Sequence, residues 1–271
     1  MKSLVAALAL TALVGGQVSA QGSLRSKIAS FGAMEPLSAA DVQGKAEAWL
    51  KDAGKNDAAT LERVRAVWKI EDRTVLDRLV DTFALGSADA AKLMEEARTP
   101  LADAPVDVPG ILKDEKQPAF FRANLALAYA RSLNGRRIHE EALAALKLFT
   151  AEQVIDPASY LFHRAIAEHS MLMKKEATTT ITRLLDDVSG VAERYKTVSA
   201  LMLLDMQTWK DKDLGSVARK MDNVERRLDL ARGGPQTQKL QKEIVARLDE
   251  LIKEMENKKK GGGGGGGGGG S

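Results

Sequence analysis

The chain has 271 residues, no cysteine, and 40 basic against 37 acidic side chains. The lack of cysteine excludes disulfides, thiolate metal sites and a lipidated cysteine, and the balanced charge excludes the strongly basic surface that is typical of nucleic-acid binding. Only 4% of the residues are aromatic while 28% are charged, a composition typical of helices packed through aliphatic side chains.

Residues 1–20 have the features of a signal peptide. Lys2 supplies a positive charge, and the apolar run 4–14 that follows it is too short to span a bilayer. Small residues at 18–20 stand where a signal peptidase cuts, so we expect an exported chain that begins at Gln21 and lies in the periplasm, the cell envelope or the medium. An uncleaved N-terminal anchor is the alternative. Polar residues interrupt every later apolar run, so no further membrane-spanning segment is predicted.

The N-terminal helical region, residues 21–98, is predicted to hold four helices, because apolar residues recur there with a period of about 3.6. Their N-caps are predicted at Ser38, Asp57, Asp72 and Ser87. No segment alternates for long between apolar and polar residues. We therefore expect no β-sheet and an all-α fold.

Segment 99–118 carries four of the seven prolines and is predicted to be a Pro-rich linker. Proline lacks the N–H that a helix interior needs, so it collects in connections and in first turns. The segment is predicted to be the boundary between two helical regions, with a short turn at 110–113. A long loop packed on the protein is the alternative, since compact proteins seldom leave such loops free.

Residues 119–232 are predicted to form three antiparallel helical hairpins that recur at intervals of about 38 residues. The paired helices are 119–133 with 138–152, 158–173 with 176–188, and 191–209 with 214–230. Alanines twelve residues apart in the first two hairpins would let their helices approach closely; the pairs are Ala130 with Ala142 and Ala165 with Ala177. In these small residues the chain resembles tetratricopeptide-like repeats, and the resemblance implies a helical solenoid. A non-repetitive helical bundle is the alternative.

The last helix is predicted over residues 235–257, ahead of a Lys/Gly-rich tail, 258–271, that we expect to be flexible. Its apolar residues follow alternating three- and four-residue steps, which is a short heptad pattern. The candidate interaction face consists of Ile244, Val245, Leu248, Leu251, Ile252 and Met255. This apolar surface is too large to leave in water. It either docks on the preceding hairpin, which we favour because so short a coiled coil is marginal, or pairs with another copy or a partner helix.

The same helix carries a second resemblance, which lies in the spacing of its residues. The pattern is Thr237-x3-Gln241-x2-Ile244-x3-Leu248-Asp249-x-Leu251-Ile252. Followed by a charged run and glycines, this pattern resembles a C-terminal element of exported proteins from planctomycete-type bacteria. The resemblance implies a compartment and a lineage, and it implies no activity.

The sequence has no His-Glu-x-x-His motif, no glycine-rich phosphate loop and no Gly-x-Ser-x-Gly nucleophile elbow. The three histidines are His139, His163 and His169. His163 and His169 are six residues apart, so they point in different directions from one helix and cannot share a metal ion. We therefore predict no metal site, no cofactor and no catalytic residue.

The predicted function is that of a non-enzymatic helical scaffold of the cell envelope, because the hairpins provide a surface and the chain has no catalytic motif. Its partner would be a protein or a peptide and not a nucleic acid. The alternative is an envelope hydrolase acting on cell-wall polysaccharide, whose carboxylates would be brought together only by the fold.

Overall fold

The computed structural model describes residues 32–100 and 103–261. The predicted signal segment and most of the predicted tail lie outside the described residues. The described part contains twelve α-helices and no strand, which confirms the all-α prediction. The helices are α1 Ala39–Asp52, α2 Ala58–Trp68, α3 Val75–Gly86, α4 Ala88–Arg98, α5 Gly110–Lys113, α6 Ala119–Gly135, α7 His139–Leu146, α8 Pro157–Ser170, α9 Lys174–Asp187, α10 Glu193–Thr208, α11 Leu214–Asp229 and α12 Pro235–Gly261.

Most of the N-caps of the first four helices lie at the residues that the sequence predicts. Three predicted caps are confirmed, at Ser38, Asp57 and Ser87. The prediction of Asp72 as the cap of α3 is wrong, because Thr74 holds that position and its hydroxyl accepts a bond from the Asp77 N–H at 3.1 Å. Thr74 also donates to the Asp77 carboxylate at 2.6 Å. This reciprocal bonding favours a start of α3 two residues later than the predicted one.

The hydrophobic core continues across the predicted boundary at 99–118. Trp49 of α1 stacks on Phe121 of α6 with ring centroids 4.9 Å apart, and Phe83 of α3 meets both rings edge-on. Val108 and Leu112, from the Pro-rich segment, are buried in the same core. These two residues therefore pack on the protein, whereas Val106 of the same segment is 98% exposed.

Two consecutive hairpins, α6–α7 and α8–α9, close with the same turn. Arg137 and Leu172 both have a left-handed backbone with φ 61°. In each turn the following amide N–H donates back to a carbonyl near the end of the preceding helix, at 2.9 and 2.8 Å. This bonding satisfies carbonyls that a helix end leaves free.

The four alanines of the first two hairpins have no exposed surface, as expected for positions of close helix contact. They are Ala130, Ala142, Ala165 and Ala177. Equivalent residues of the two hairpins are 35 positions apart, both for these alanines and for the left-handed turn residues. The interval of about 38 residues that the sequence predicts is therefore too long for this pair.

Helix pairing departs from the prediction in the third hairpin, where 191–209 was expected to pair with 214–230. Both helices form, but α10 packs on α8 and α9, while α11 makes its main helix contact with α12. A left-handed residue, Ala231 with φ 56°, closes this α11–α12 hairpin. The predicted helix 138–152 is also shorter, since it ends at Leu146, where the buried Tyr160 hydroxyl lies 3.0 Å from the carbonyl oxygen.

Candidate interaction surface

Helices α11 and α12 form an antiparallel hairpin with a small core of its own. Its buried residues are Val217, Val224 and Ile244, with Leu240, Leu248 and Leu251 packed against them. Polar contacts run from Arg227–Thr237 near the turn, at 2.8 Å, to a bond from Arg247 to the Lys212 carbonyl at the far end, at 2.9 Å. Three residues of the candidate interaction face therefore dock on the chain itself.

The other three residues of that face remain in solvent. Val245 is 58% exposed, Ile252 49% and Met255 63%. Val245 and Ile252 are seven residues apart, so two helical turns return them to one side of α12. The candidate face is thus divided between a docked half and an exposed half.

Helix α11 adds its own exposed apolar residues beside them. Leu214, Met221 and Leu228 are seven residues apart and 66%, 53% and 48% exposed. Met221, Leu228 and Val245 line one groove between the two helices, which has a volume of about 540 Å³. We call the six exposed residues on α11 and α12 the exposed seam; they are Leu214, Met221, Leu228, Val245, Ile252 and Met255.

The hairpin is attached to the rest of the protein by a cluster of ion pairs around Glu140. Arg226 binds both oxygens of this carboxylate at 2.7 and 2.8 Å, and Arg227 binds it at 2.6 Å. Arg232 approaches it to 3.5 Å. Arg226 and Arg227 are buried although both carry charge. We call these four residues the Glu140 cluster.

The Glu140 carboxylate is strongly held in its charged form. Burial by itself raises the pKa of Glu140, but the hydrogen bonds and charge of Arg226, with the charge of Arg227, outweigh burial and lower the pKa to about 2. Glu140 also lies in the first turn of α7, where the helix dipole favours a negative charge. The cluster thus links the start of α7 to the end of α11.

Thr237 shows what one residue of the C-terminal sequence pattern does. Its side chain has no exposed surface, it accepts a bond from Arg227 Nε at 2.8 Å, and it donates to the Arg232 carbonyl. Thr237 therefore joins the start of α12 to the arginines of the Glu140 cluster.

A polar cleft of about 350 Å³ lies where α8, α10 and α11 meet. Asp205 accepts from Trp209 Nε1 at 3.0 Å and lies 2.9 Å from His169 Nε2. Arg219 covers the Trp209 ring at 5.1 Å. The polar side chains of the cleft thus contact one another, and these contacts hold the three helices together.

The histidines do not meet in the fold. His139 is buried with Nδ1 2.9 Å from the Asn134 side-chain oxygen, and the Asn134 amide donates to the His163 carbonyl at 2.8 Å. His163 is buried among aromatic rings, and its two ring nitrogens make no hydrogen bond within the described residues. In that same part of the chain, no group of three His, Asp or Glu side chains is placed to hold a metal ion.

None of the helices in 32–100 and 103–261 combines the length and apolar character needed to cross a membrane.

Comparison with models of protein families, with curated proteins and with solved structures finds no match to this chain. The resemblances to tetratricopeptide-like repeats and to planctomycete-type exported proteins therefore stay predictions.

Sequence reasoning found the α12 half of the exposed seam and missed the α11 half. The seven-residue spacing of Leu214, Met221 and Leu228 was a signal that could have found it. The Glu140 cluster had no such signal, because its members come from positions about ninety residues apart in the chain, as for Glu140 and Arg226.

Proposed function

We propose that this chain is a non-enzymatic helical scaffold of the cell envelope that binds a helical segment of a protein through the exposed seam. The observation that supports the proposal is the seam itself, six large apolar side chains left in solvent on two paired helices. Met221, Leu228 and Val245 line one groove, and contiguous exposed apolar surface marks interaction sites. Seven-residue spacing is the pattern that a partner helix meets when its side chains pack between those of another helix.

Export is part of the proposal and is supported by the signal-peptide features of residues 1–20. Its test is N-terminal sequencing of the protein recovered from the periplasm of an expressing bacterium. We expect the recovered chain to begin at Gln21. Recovery of the intact N-terminus from the cytoplasm alone would contradict export.

Partner binding is tested by capture from envelope extract with three forms of the purified protein. The wild type is compared with a Met221→Asp/Val245→Asp variant, which places two charges in the seam at exposed positions and so leaves the fold intact. The control is Leu201→Asp, because Leu201 is 59% exposed on α10, outside the seam.

We expect the wild type and the Leu201 control to capture the same protein and the seam variant to lose it. Equal capture by all three forms would refute the seam as the binding surface. Degradation of purified peptidoglycan by the wild type would contradict the non-enzymatic part of the proposal.

A further inference from the structure

Charged side chains stand on both helices beside the groove of the exposed seam. Glu225 and Asp229 line the groove on α11. On α12, Lys242 lies beside Val245 on the adjoining surface, which also carries Asp249 seven residues further along. Glu225 lines the groove together with Gln241, the neighbour of Lys242, so Glu225 and Lys242 lie at the same height along the hairpin. Within the described residues, the charged groups of Glu225, Asp229 and Lys242 form no hydrogen bond and no ion pair.

We infer that the partner helices on the seam belong to a second copy of this chain. The inference rests on the proposed function, whose partner it identifies. A two-fold axis that runs along the groove places α11 of each copy beside α12 of the other, antiparallel and at the same height. The two hairpins then form an antiparallel four-helix bundle, in which the two exposed seams bury each other.

One charge pair fits this arrangement, and the acidic residues beside the groove argue against an anionic membrane as its occupant. Under the two-fold axis Glu225 faces Lys242 of the second copy, and the same pair forms twice. The small side chain of Ala218, two turns before Glu225, leaves room beside Asp249 of the other copy. An anionic membrane surface would be repelled by Glu225 and Asp229, which stand beside the apolar groove.

The apolar side chains also repeat with the periodicity that a bundle needs. Leu214, Met221 and Leu228 recur every seven residues on α11, and Val245 and Ile252 do so on α12. Each helix of the hairpin therefore presents one apolar row toward the second copy, while its other row packs inside its own hairpin. A single hairpin leaves half of this core in water, and a pair of hairpins completes it.

The test is sedimentation equilibrium of the full protein and of two variants in which one charge is reversed. We expect the wild type to be a dimer at micromolar concentration. Glu225→Lys and Lys242→Glu each set like charges against each other twice, so each variant alone is expected to raise the dissociation constant by about tenfold or more. Glu225 and Lys242 are both exposed, so neither change should disturb the folded monomer.

Mixing the two variants gives the decisive measurement. In a mixed dimer the lysine introduced at position 225 would face the glutamate introduced at position 242, and the native Glu225 would face the native Lys242, so both pairs are attractive again. We expect the mixture to form a heterodimer with about the wild-type dissociation constant. Failure of the mixture to dimerise better than either variant alone would refute the two-fold arrangement.

The apolar part of the interface is tested with Met221→Asp, with Leu201→Asp as the matched control. We expect Met221→Asp to sediment as a monomer with an unchanged melting temperature at low concentration, and the control to dimerise like the wild type. A wild type that stays monomeric at every concentration would overturn the inference. If that monomer still captured an envelope protein through the seam, the proposed function would stand with a different partner, and if it captured nothing, both would fail.

Discussion

The main body, α1 to α10, and the α11–α12 hairpin are stabilised by different means. The body has a continuous core of aliphatic and aromatic side chains, with Trp49, Phe83 and Phe121 in mutual contact at its centre. The hairpin core contains three buried apolar side chains, Val217, Val224 and Ile244. The hairpin is held to the body largely by the ion pairs of the Glu140 cluster. The body therefore draws its stability mainly from apolar burial, whereas the hairpin depends more on its ion pairs and on the partner that covers its seam.

The first prediction concerns the body, where the largest effect is expected. Phe121 is 1% exposed and touches Trp49 and Phe83, so Phe121→Ala leaves a cavity between two rings. We expect a loss of about 4 kcal/mol in the free energy of unfolding. Urea denaturation followed by circular dichroism measures it. A loss no larger than that of an exposed position such as Met221→Ala would show that the core is not centred on these rings.

The second prediction concerns the attachment of the hairpin. Glu140→Gln keeps the shape of the side chain but removes the single carboxylate that Arg226 and Arg227 share, so their charges stay buried without an anion. We expect a loss of about 3 kcal/mol, concentrated in the hairpin. Hydrogen exchange should become faster in α11 and α12 and stay slow in α6.

The matched control is Glu141→Gln. Glu141 is the next residue, and its ion pair is with Arg232, at 2.9 Å. It should change exchange in the hairpin much less than Glu140→Gln does. Equal effects of the two variants would mean that the Glu140 cluster does not hold the hairpin.

The third prediction is a loss of stability in mild acid that arises in the body. Burial, helped by the charge of Arg226, lowers the pKa of His139 to about 4. Burial, helped by Arg131 and Arg194, lowers the pKa of His163 to about 3. Below pH 6.5 the two histidines of the unfolded chain therefore take up protons that those of the folded chain do not. The stability present above pH 6.5 is lost as the pH falls toward the pKa values of the folded state.

As the pH falls from about 7.5 to about 5.5, each of these histidines is expected to lower the free energy of unfolding by about 1.4 kcal/mol. His163→Leu should remove about half of this pH dependence. It should also stabilise the protein at about pH 7.5, because the ring nitrogens of His163 make no hydrogen bond within the described residues. The window lies above the acid range in which Glu140 takes up a proton, so the two effects are separable. A His163→Leu variant with the wild-type slope would refute this assignment.

Local signals in the sequence predicted the helices well, and they predicted long-range pairing poorly. Caps at Ser38, Asp57 and Ser87 depend on bonds within three residues, so the sequence shows them directly. The pairing of α11 with α12 rather than with α10 depends on the tight turn around Ala231 and on partners far along the chain. Hydrophobic periodicity reports that a helix has an apolar face, and it does not report which neighbour covers that face.

At the candidate site, too, the sequence predicts an apolar face on α12 but not which of its residues are covered. Two adjacent residues of this face test that division. Leu251 packs against the hairpin core, while its neighbour Ile252 is 49% exposed. Leu251→Asp places a charge at the docked position and should lower the free energy of unfolding by about 1 kcal/mol. Ile252→Asp should change it by less than about 0.5 kcal/mol when thermal unfolding is measured at a concentration too low for self-association. Equal destabilisation by both variants would mean that the whole face is covered in the monomer, because a charge in solvent costs little and a charge under a packed helix does not.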